Sequence, residues 1–281
     1  MPKHIAPYEN FNNPIIDIGN SLVPRCYLNV VRLKKGESYS YHLNEYESVC
    51  VGASGTFSVS VDGETFNDVG IRDYIFGGKP DSVYVPLDSE AVLTGVSEFS
   101  VILIAGGRYE EKKKTFRITP DDVDKIQYGS DDTKTHRKIL HILGQKNRDL
   151  TGRLLVSELF TVGAGGWSGF PPHKHDEDIK GVETAFEEVY YFAFNPENGF
   201  GAQFAYVHDD DMGPVYHIKN GSTILLERGY HPVCVAPGYE MYYFTILVGK
   251  TEKSLKQNFE KAHEYQVHTI PGIKDMVSRF K

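Results

Sequence analysis

The chain has 281 residues, of which 40% are hydrophobic and 24% are charged, and this composition excludes a disordered or fibrous protein. The net charge of −8 argues against a nucleic-acid partner, because phosphate backbones are bound by concentrated lysine and arginine. The longest aliphatic run, residues 101–105, is too short to cross a membrane, and no secretory signal begins the chain, so we expect a cytoplasmic protein.

A first set of predicted strands lies between residues 39 and 105. Short runs rich in β-branched and aromatic residues alternate there with turn signals: residues 56–61 precede Asp62-Gly63, and residues 99–104 precede Gly106-Gly107. No long apolar period of 3.6 residues interrupts them. This half therefore offers about eight short strands, which favours a jelly roll or a small barrel over a parallel sheet.

A polar, turn-rich stretch follows, and a second set of strands runs through residues 154–248. The two sets can be superimposed in order, which indicates a duplicated β domain. We expect a first domain at residues 1–120, a linker at 121–140 and a second domain at 141–281. The polar segment 252–263 is predicted to form a short helix.

The most informative motif is PPHKHD at residues 171–176. Residues i and i+2 of a strand share a face, so His173 and His175 can approach one point. A carboxylate from EEVYYF and the imidazole of His231 in GYHP would complete a set of three histidines and one glutamate. Such a set suits a divalent transition metal with open coordination positions, whereas a lone HxH is usually a surface or hydrogen-bonding pair.

Several motifs carry a more specific resemblance. PPHKHD, EEVYYF, NPENGFG, GYHPV, APGYEMYYF and, in the first half, GIRDYIFGGKPDSVYVP resemble the 5-deoxy-glucuronate isomerase family of inositol catabolism. That family belongs to the cupin superfamily and is related to the pectin-pathway uronate ketol-isomerases. The resemblance covers nearly the whole chain and implies an all-β bicupin, two jelly-roll β barrels with short helical segments.

The resemblance also implies the site and the reaction. The metal ligands would be His173, His175, Glu188 and His231 in the C-terminal barrel, and the first barrel, with the single His42 in the matching place, would hold no metal. The reaction would convert 5-deoxy-D-glucuronate to 5-dehydro-2-deoxy-D-gluconate, an aldose–ketose isomerisation. Because this chemistry needs no redox change, zinc is the favoured divalent ion, with manganese, iron and nickel as alternatives.

Glu187 competes with Glu188 for the ligand role. Neighbours on a strand point to opposite faces, so only one of them can face inwards. In the related isomerases the ligand stands directly before Val-Tyr, which favours Glu188. We then expect Glu187 to occupy an ordinary outer-face position, and the residues between His175 and Glu188 to bulge out as a loop.

No general base can be assigned from the sequence. Tyr190, on the same strand face as Glu188, and Tyr243 are candidates for substrate contact, although a place in the hydrophobic core is the commoner explanation for each. A cation is expected for the substrate carboxylate: Arg153 is the first candidate and Arg228 the alternative.

Three other functions stay open: another uronate ketol-isomerase, a cupin dioxygenase that uses iron or copper, and a non-catalytic sugar-binding cupin. The expected partner is a small deoxy-uronate, without nucleic acid or membrane, and a homo-oligomer is compatible with the sequence.

Overall fold

The computed structural model describes residues 3–163, 165–208 and 211–279, with the backbone alone for the last two. Its regular structure is almost entirely β-strand, which confirms the all-β prediction. The first strands are β1 (Lys3–Ile5), β2 (Cys26–Lys34), β3 (Ser38–His42), β4 (Tyr46–Ser54), β5 (Phe57–Val61), β6 (Glu64–Val69), β7 (Ser82–Val85), β8 (Glu90–Gly95), β9 (Phe99–Arg108) and β10 (Phe116–Ile118).

The second set of strands is β11 (Asp124–Tyr128), β12 (Arg137–Leu143), β13 (Leu154–Thr161), β14 (Gly166–Ser168), β15 (His173–Lys174), β16 (Phe186–Asn195), β17 (Phe200–Phe204), β18 (Val215–Lys219), β19 (Thr223–Leu226), β20 (Val233–Val235), β21 (Glu240–Gly249) and β22 (Asn258–Phe259). Short helical elements accompany them: the α-helix α1 (Ile273–Arg279) and 3₁₀ turns at Ile75–Gly77, Gln145–Asn147 and Glu264–His268. No helix in the described ranges has the length and apolarity needed to cross a membrane.

The first half is a two-layer sandwich. A five-stranded sheet in the order β10-β7-β4-β9-β2 faces a four-stranded sheet in the order β3-β8-β5-β6. Side chains such as Val31, Phe57, Leu93 and Ile104 fill the space between them. This burial follows from the period-two alternation of β5, where Phe57, Val59 and Val61 are buried and the residues between them are half-buried.

The second half repeats this plan with a larger sheet. Seven strands in the order β1-β19-β16-β21-β13-β12-β11 face the four-stranded sheet β14-β20-β17-β18, while β15 and β22 form a separate pair. Phe192, Ile218, Val233 and Tyr243 lie in the core between the two large layers. All strand pairs are antiparallel, and no sheet closes into a barrel within the described residues.

The two halves pack back to back. Leu28 and Leu103 of the five-stranded sheet share one hydrophobic core with Val156 and Ile246 of the seven-stranded sheet, so the chain forms four layers. The N-terminal strand β1 crosses over to pair with β19, next to the second half's own strands. The halves therefore share both a core and a sheet.

Two stretches differ from the expected secondary structure. Residues 121–140 include two strands, because β11 and the start of β12 lie at the edge of the seven-stranded sheet and bury Ile126 and Ile139. The prediction of a helix at 252–263 is wrong, since that segment is extended and includes β22. Every second residue of this segment faces one cavity: Leu255, Gln257 and Phe259. The polar composition of the segment hid this period of two in the sequence.

Candidate metal and substrate site

Three buried imidazoles meet between the seven-stranded sheet and the β15–β22 pair. The ring centroid of His231 lies 5.0 Å from those of His173 and His175, which are 6.2 Å from each other. One ligand nitrogen from each ring falls within 4.8 Å of the other two. The distant motifs PPHKHD and GYHP therefore supply side chains to one point.

Glu188 on β16 brings a carboxylate to the same point. Its Oε2 is 3.0 Å from Nε2 of His175 and 3.2 Å from Nε2 of His231. Glu187, its neighbour, points to the opposite face of the sheet, where its carboxylate accepts hydrogen bonds from the Arg25 backbone and side chain. The four side chains that the sequence selects are therefore together in the structure, and Glu187 is separate from them.

The loop between His175 and Glu188 is ordered by buried polar contacts. The two ends of the loop lie side by side, because the Phe186 N–H donates a hydrogen bond to the His175 carbonyl at 2.7 Å. Inside the loop, the buried Glu183 carboxylate accepts the N–H groups of Asp176 and Glu177. These contacts explain how twelve intervening residues leave Glu188 beside His175.

A glycine turn delivers His231. Gly229 has φ +89°, and a Cβ there would lie 2.4 Å from the Tyr206 carbonyl oxygen, so another residue would be strained and would clash. Its N–H donates to Asp176 Oδ2 at 2.9 Å, which ties the GYHP turn to the residue after His175. The two motifs are thus held in register by their own backbone contacts.

The histidine tautomers suit metal binding. Nδ1 of His231 lies 2.8 Å from the Gly229 carbonyl and Nδ1 of His173 lies 3.2 Å from the Pro171 carbonyl. A carbonyl only accepts, so each Nδ1 carries a hydrogen and Nε2 is the ring nitrogen left to bind a metal. Nε2 of His231 is buried without a hydrogen-bond partner, beside the Glu188 carboxylate. A cation between these electron-rich atoms would satisfy both, and backbone carbonyls commonly orient metal-binding imidazoles in this way.

The electrostatics keep Glu188 ionised. Burial by itself would lower the pKa of His175, but its contact with the Glu188 carboxylate prevails and raises it. Burial by itself would raise the pKa of Glu188, but contacts with His175 and His231 prevail and lower the pKa to about 2. Burial lowers the pKa of His173 well below its usual value, and the other two histidines lower it further. An ionised carboxylate and a neutral imidazole are the forms that bind metal ions.

A second group of acids lies close by but is already neutralised. Asp176, Glu177 and Glu183 have carboxylate oxygens close enough to share an ion. The ammonium group of Lys174 lies 2.8, 2.7 and 3.1 Å from these three carboxylates. Lys174 therefore occupies the position that a cation would take.

The histidine cluster opens into a small cavity of about 50 Å³. This volume has room for a few water molecules and is well below the ~300 Å³ at which ordinary ligand pockets begin. Ile273 and Met276 of α1 form one wall. The remaining walls include Tyr128, Arg137, Tyr190, Tyr243, Gln257 and Phe259.

The predicted substrate contacts divide into two groups. Tyr190 and Tyr243 both line the cavity and stack edge-to-face at 4.8 Å, while they also belong to the hydrophobic core. Arg153 precedes β13 near the level of Glu188 on the sheet, but its guanidinium pairs with Glu110 and packs on Tyr109, outside the cavity. Arg228 is exposed and lies 3.6 Å from Glu227. Neither predicted arginine reaches the cavity.

Sequence reasoning missed two polar cavity residues. Arg137 opens β12, in the stretch expected to be a linker, and Gln257 precedes β22, in the stretch expected to be a helix; its side-chain nitrogen lies 2.9 Å from Nε2 of His173. Both would have been found by reading the two stretches with a period of two, in which Arg137 shares a face with Ile139 and Gln257 with Phe259.

The chain is similar over most of its length to known proteins that share one name. Residues 5–266 match the KduI/IolB family. The 5-deoxy-glucuronate isomerase of Bacillus licheniformis is 34% identical over 235 residues, covering 83% of this chain and 85% of the relative. The 5-deoxy-glucuronate isomerase of Bacillus subtilis strain 168 is 31% identical over 251 residues, covering 89% and 90%.

Solved structures show the same similarity. An IolB-like protein from Salmonella typhimurium LT2 superimposes with a TM-score of 0.78 at 30% identity, covering 86% of this chain and 89% of that chain. The oxalate decarboxylase of Lactobacillus farciminis superimposes with a TM-score of 0.63 at 10% identity, covering 98% and 92%. At that identity the second similarity concerns the fold alone.

Proposed function

The chain belongs to the KduI/IolB family, and from this premise we propose that it isomerises 5-deoxy-D-glucuronate to 5-dehydro-2-deoxy-D-gluconate in myo-inositol degradation. The observation that carries the proposal is the length of the match: relatives named 5-deoxy-glucuronate isomerase align with 83–89% of the chain. The aligned length includes the motifs that build the histidine cluster. The reaction is an intramolecular transfer of hydrogen and electrons between C1 and C2.

We propose His173, His175, Glu188 and His231 as the ligands of one divalent ion. Support comes from their convergence, from the contacts of the His175 and His231 Nε2 atoms with the Glu188 carboxylate, and from the ionised state of Glu188. When bound, the ion supplies Lewis-acid stabilisation of the negative charge that develops on the sugar oxygens. Zinc is favoured because the isomerisation needs no redox change, and manganese, iron and nickel suit the same donors.

The chain's own groups bind and orient the sugar around this centre. Burial raises the pKa of Tyr243, so the phenol stays protonated and can donate a hydrogen bond to a substrate oxygen. Tyr190 contacts both Tyr243 and His231 and so lies between the phenol and the ligands. The mostly apolar walls lower the local polarity, which strengthens these polar contacts.

For the fold, we propose a bicupin: a first barrel without metal at residues 1–120, a connection at 121–140 and a metal-binding barrel with the C-terminal tail at 141–281. The two repeated sandwiches support this division. The cytoplasm is the proposed compartment, consistent with the free cysteines Cys26, Cys50 and Cys234. We further propose a homo-oligomer that acts on a small sugar acid without nucleic acid or membrane, with the oligomeric state measurable by light scattering.

The test is mass spectrometry of the product formed by metal-loaded protein from 5-deoxy-D-glucuronate under argon. An isomerase yields a product of unchanged mass without oxygen, nicotinamide or flavin. A product that forms only in air, with oxygen atoms added, would show a dioxygenase instead. Binding without turnover would indicate a sugar-binding protein, and conversion of other uronates alone would indicate a different ketol-isomerase.

A further inference from the structure

Arg137 is a buried cation without an acidic partner. Its residue is 3% exposed, and its guanidinium donates to Ser168 Oγ at 3.0 Å and to the Phe170 carbonyl at 2.9 Å. Its Nε is buried without a hydrogen-bond partner, and among the described residues no carboxylate forms an ion pair with it. A buried charge with neutral partners only is costly, because neutral groups replace little of its hydration.

Comparison with Arg72 shows that this is unusual within the same chain. Arg72 is 4% exposed, and its two terminal nitrogens bind the Glu158 carboxylate at 2.9 and 2.5 Å. That arginine links the two halves of the molecule and has its full counter-charge. Arg137 has comparable burial and lacks a counter-charge, so its position suits an anion that comes from outside the chain.

The position of Arg137 relative to the histidine cluster defines what that anion would be attached to. Arg137 lines the same cavity as His173, His175 and Glu188. A row of contacts leads from His231 to Tyr190, from Tyr190 to Tyr243, from the Tyr243 hydroxyl to Ser168, and from Ser168 to the guanidinium. Arg137 and the proposed metal ligands therefore lie at opposite ends of the cavity, with the side chains of Tyr190 and Tyr243 between them.

We propose that Arg137 is the carboxylate subsite of the enzyme and determines its specificity for sugar acids over neutral sugars. A guanidinium binds a carboxylate through two parallel N–H bonds, which fixes the far end of the substrate while C1 and C2 lie at the metal ligands. The ligand class is an open-chain sugar acid with its carboxylate at the end opposite the reacting carbons. The inference rests on the proposed function for the identity of the substrate.

The test compares two substrates that differ only at this end: 5-deoxy-D-glucuronate and 5-deoxy-D-glucose, in which CH₂OH replaces the carboxylate. In Arg137→Met, kcat/KM for the uronate should fall between about 10-fold and about 150-fold, the range of a charge-assisted hydrogen bond, while kcat/KM for the neutral sugar should fall much less, because that sugar has no carboxylate to lose its partner. Arg137→Lys should fold and keep part of the preference, since it retains the charge but not the paired N–H donors.

Lys138→Met is the matched control. Lys138 is the next residue on β12 and points to the other face of the sheet, with its ammonium 3.9 Å from the Phe160 ring centroid. This variant should keep the preference for the uronate. Equal losses on both substrates in Arg137→Met would show a purely structural role, and unchanged kinetics on both would show no role; either result overturns the proposal.

Calorimetric titration with D-gluconate and its neutral counterpart D-glucitol separates this proposal from the proposed function. The wild-type protein should bind gluconate more tightly than glucitol, and Arg137→Met should lose that difference. If the wild type fails to isomerise 5-deoxy-D-glucuronate, the proposed function fails, while the titration still decides the carboxylate subsite. Equal gluconate affinity in wild type and Arg137→Met would overturn the subsite alone.

Discussion

Glu187 and Glu188, adjacent on β16, point to opposite faces of the seven-stranded sheet and serve two separate buried polar clusters. Glu188 lies 3.0 Å from His175 inside the cavity. Glu187 accepts a hydrogen bond of 2.7 Å from the Arg25 N–H and pairs with the Arg25 guanidinium at 3.1 Å, between the two halves of the molecule. Because neighbouring residues of a strand point in opposite directions, Glu188 faces the cavity and Glu187 faces the contact between the two halves.

This separation predicts different effects when each glutamate is replaced by glutamine. Glu188→Gln should lose most of the bound metal, because an amide oxygen is a weaker, uncharged ligand. Glu187→Gln should keep the metal but lose about 1–3 kcal/mol of unfolding free energy, the cost of a buried charged hydrogen bond. Elemental analysis and urea unfolding measure the two effects. Metal loss from Glu187→Gln alone would mean that the strand register is shifted by one residue.

The loss of stability predicted for Glu187→Gln is larger than the sequence-based expectation for an ordinary outer-face position. An ordinary surface position would change stability by at most about 0.5 kcal/mol. The structure shows a residue 3% exposed, because the outer face of this sheet packs against the other half of the chain. Alternation predicts which face a side chain takes, but not what covers that face.

The histidine cluster predicts metal loss in a second pair of variants. His231→Ala or His173→Ala should reduce metal content from about one ion per chain to well below half, since a missing ligand leaves the other donors to be desolvated without full compensation. His42→Ala is the control: His42 is exposed and lies 2.7 Å from Asn44 Oδ1 in the first half. Full metal retention in both site variants would reject the ligand assignment.

Because His141 is buried, we expect the free energy of unfolding to fall in mildly acidic solution. Burial lowers the pKa of His141 to about 4, against a weaker opposite effect of Asp124. Between about pH 6.5 and pH 4 the unfolded chain binds a proton that the folded chain does not, so stability falls as the pH falls through this window, by on the order of 3 kcal/mol. Urea unfolding at pH 7.5 and 4.5 should show a smaller loss for His141→Gln than for wild type. An identical loss in both proteins would contradict this, and the exposed His42→Gln should behave as wild type.

The small cavity predicts that α1 must move before a sugar acid binds. Ile273 and Met276 form one wall of the cavity, and with Ile270 they pack on Ile126 and Ile139 of the sheet edge. Deleting residues 270–281 should therefore increase the rate at which a chelator removes the metal. Lys274→Ser, at an exposed position of the same helix, should leave the rate unchanged. A rate unaffected by the deletion would show that access follows another route.

The convergence of His173, His175, Glu188 and His231 was easier to predict from the sequence than the rest of the cavity, for a physical reason. These residues lie in motifs whose residue types and spacing suggest the chemistry directly, as in His173 and His175. The opposite wall is formed by β12 and by the segment before β22, which reach the site only through pairing with distant strands. Arg137 and Gln257 have no local motif. Arg153 was favoured because its place before β13 does not reveal which partner its side chain takes, and that partner is Glu110.

The most direct test of the account is a proton NMR time course of 5-deoxy-D-glucuronate with wild-type protein that carries one zinc ion per chain. We predict that the aldose signals decay as those of 5-dehydro-2-deoxy-D-gluconate grow, that a chelator stops the conversion, and that restored zinc restarts it. Unchanged aldose signals in the presence of fully metal-loaded, folded protein would contradict the isomerase assignment, and conversion that continues after complete metal removal would contradict the role given to the histidine cluster.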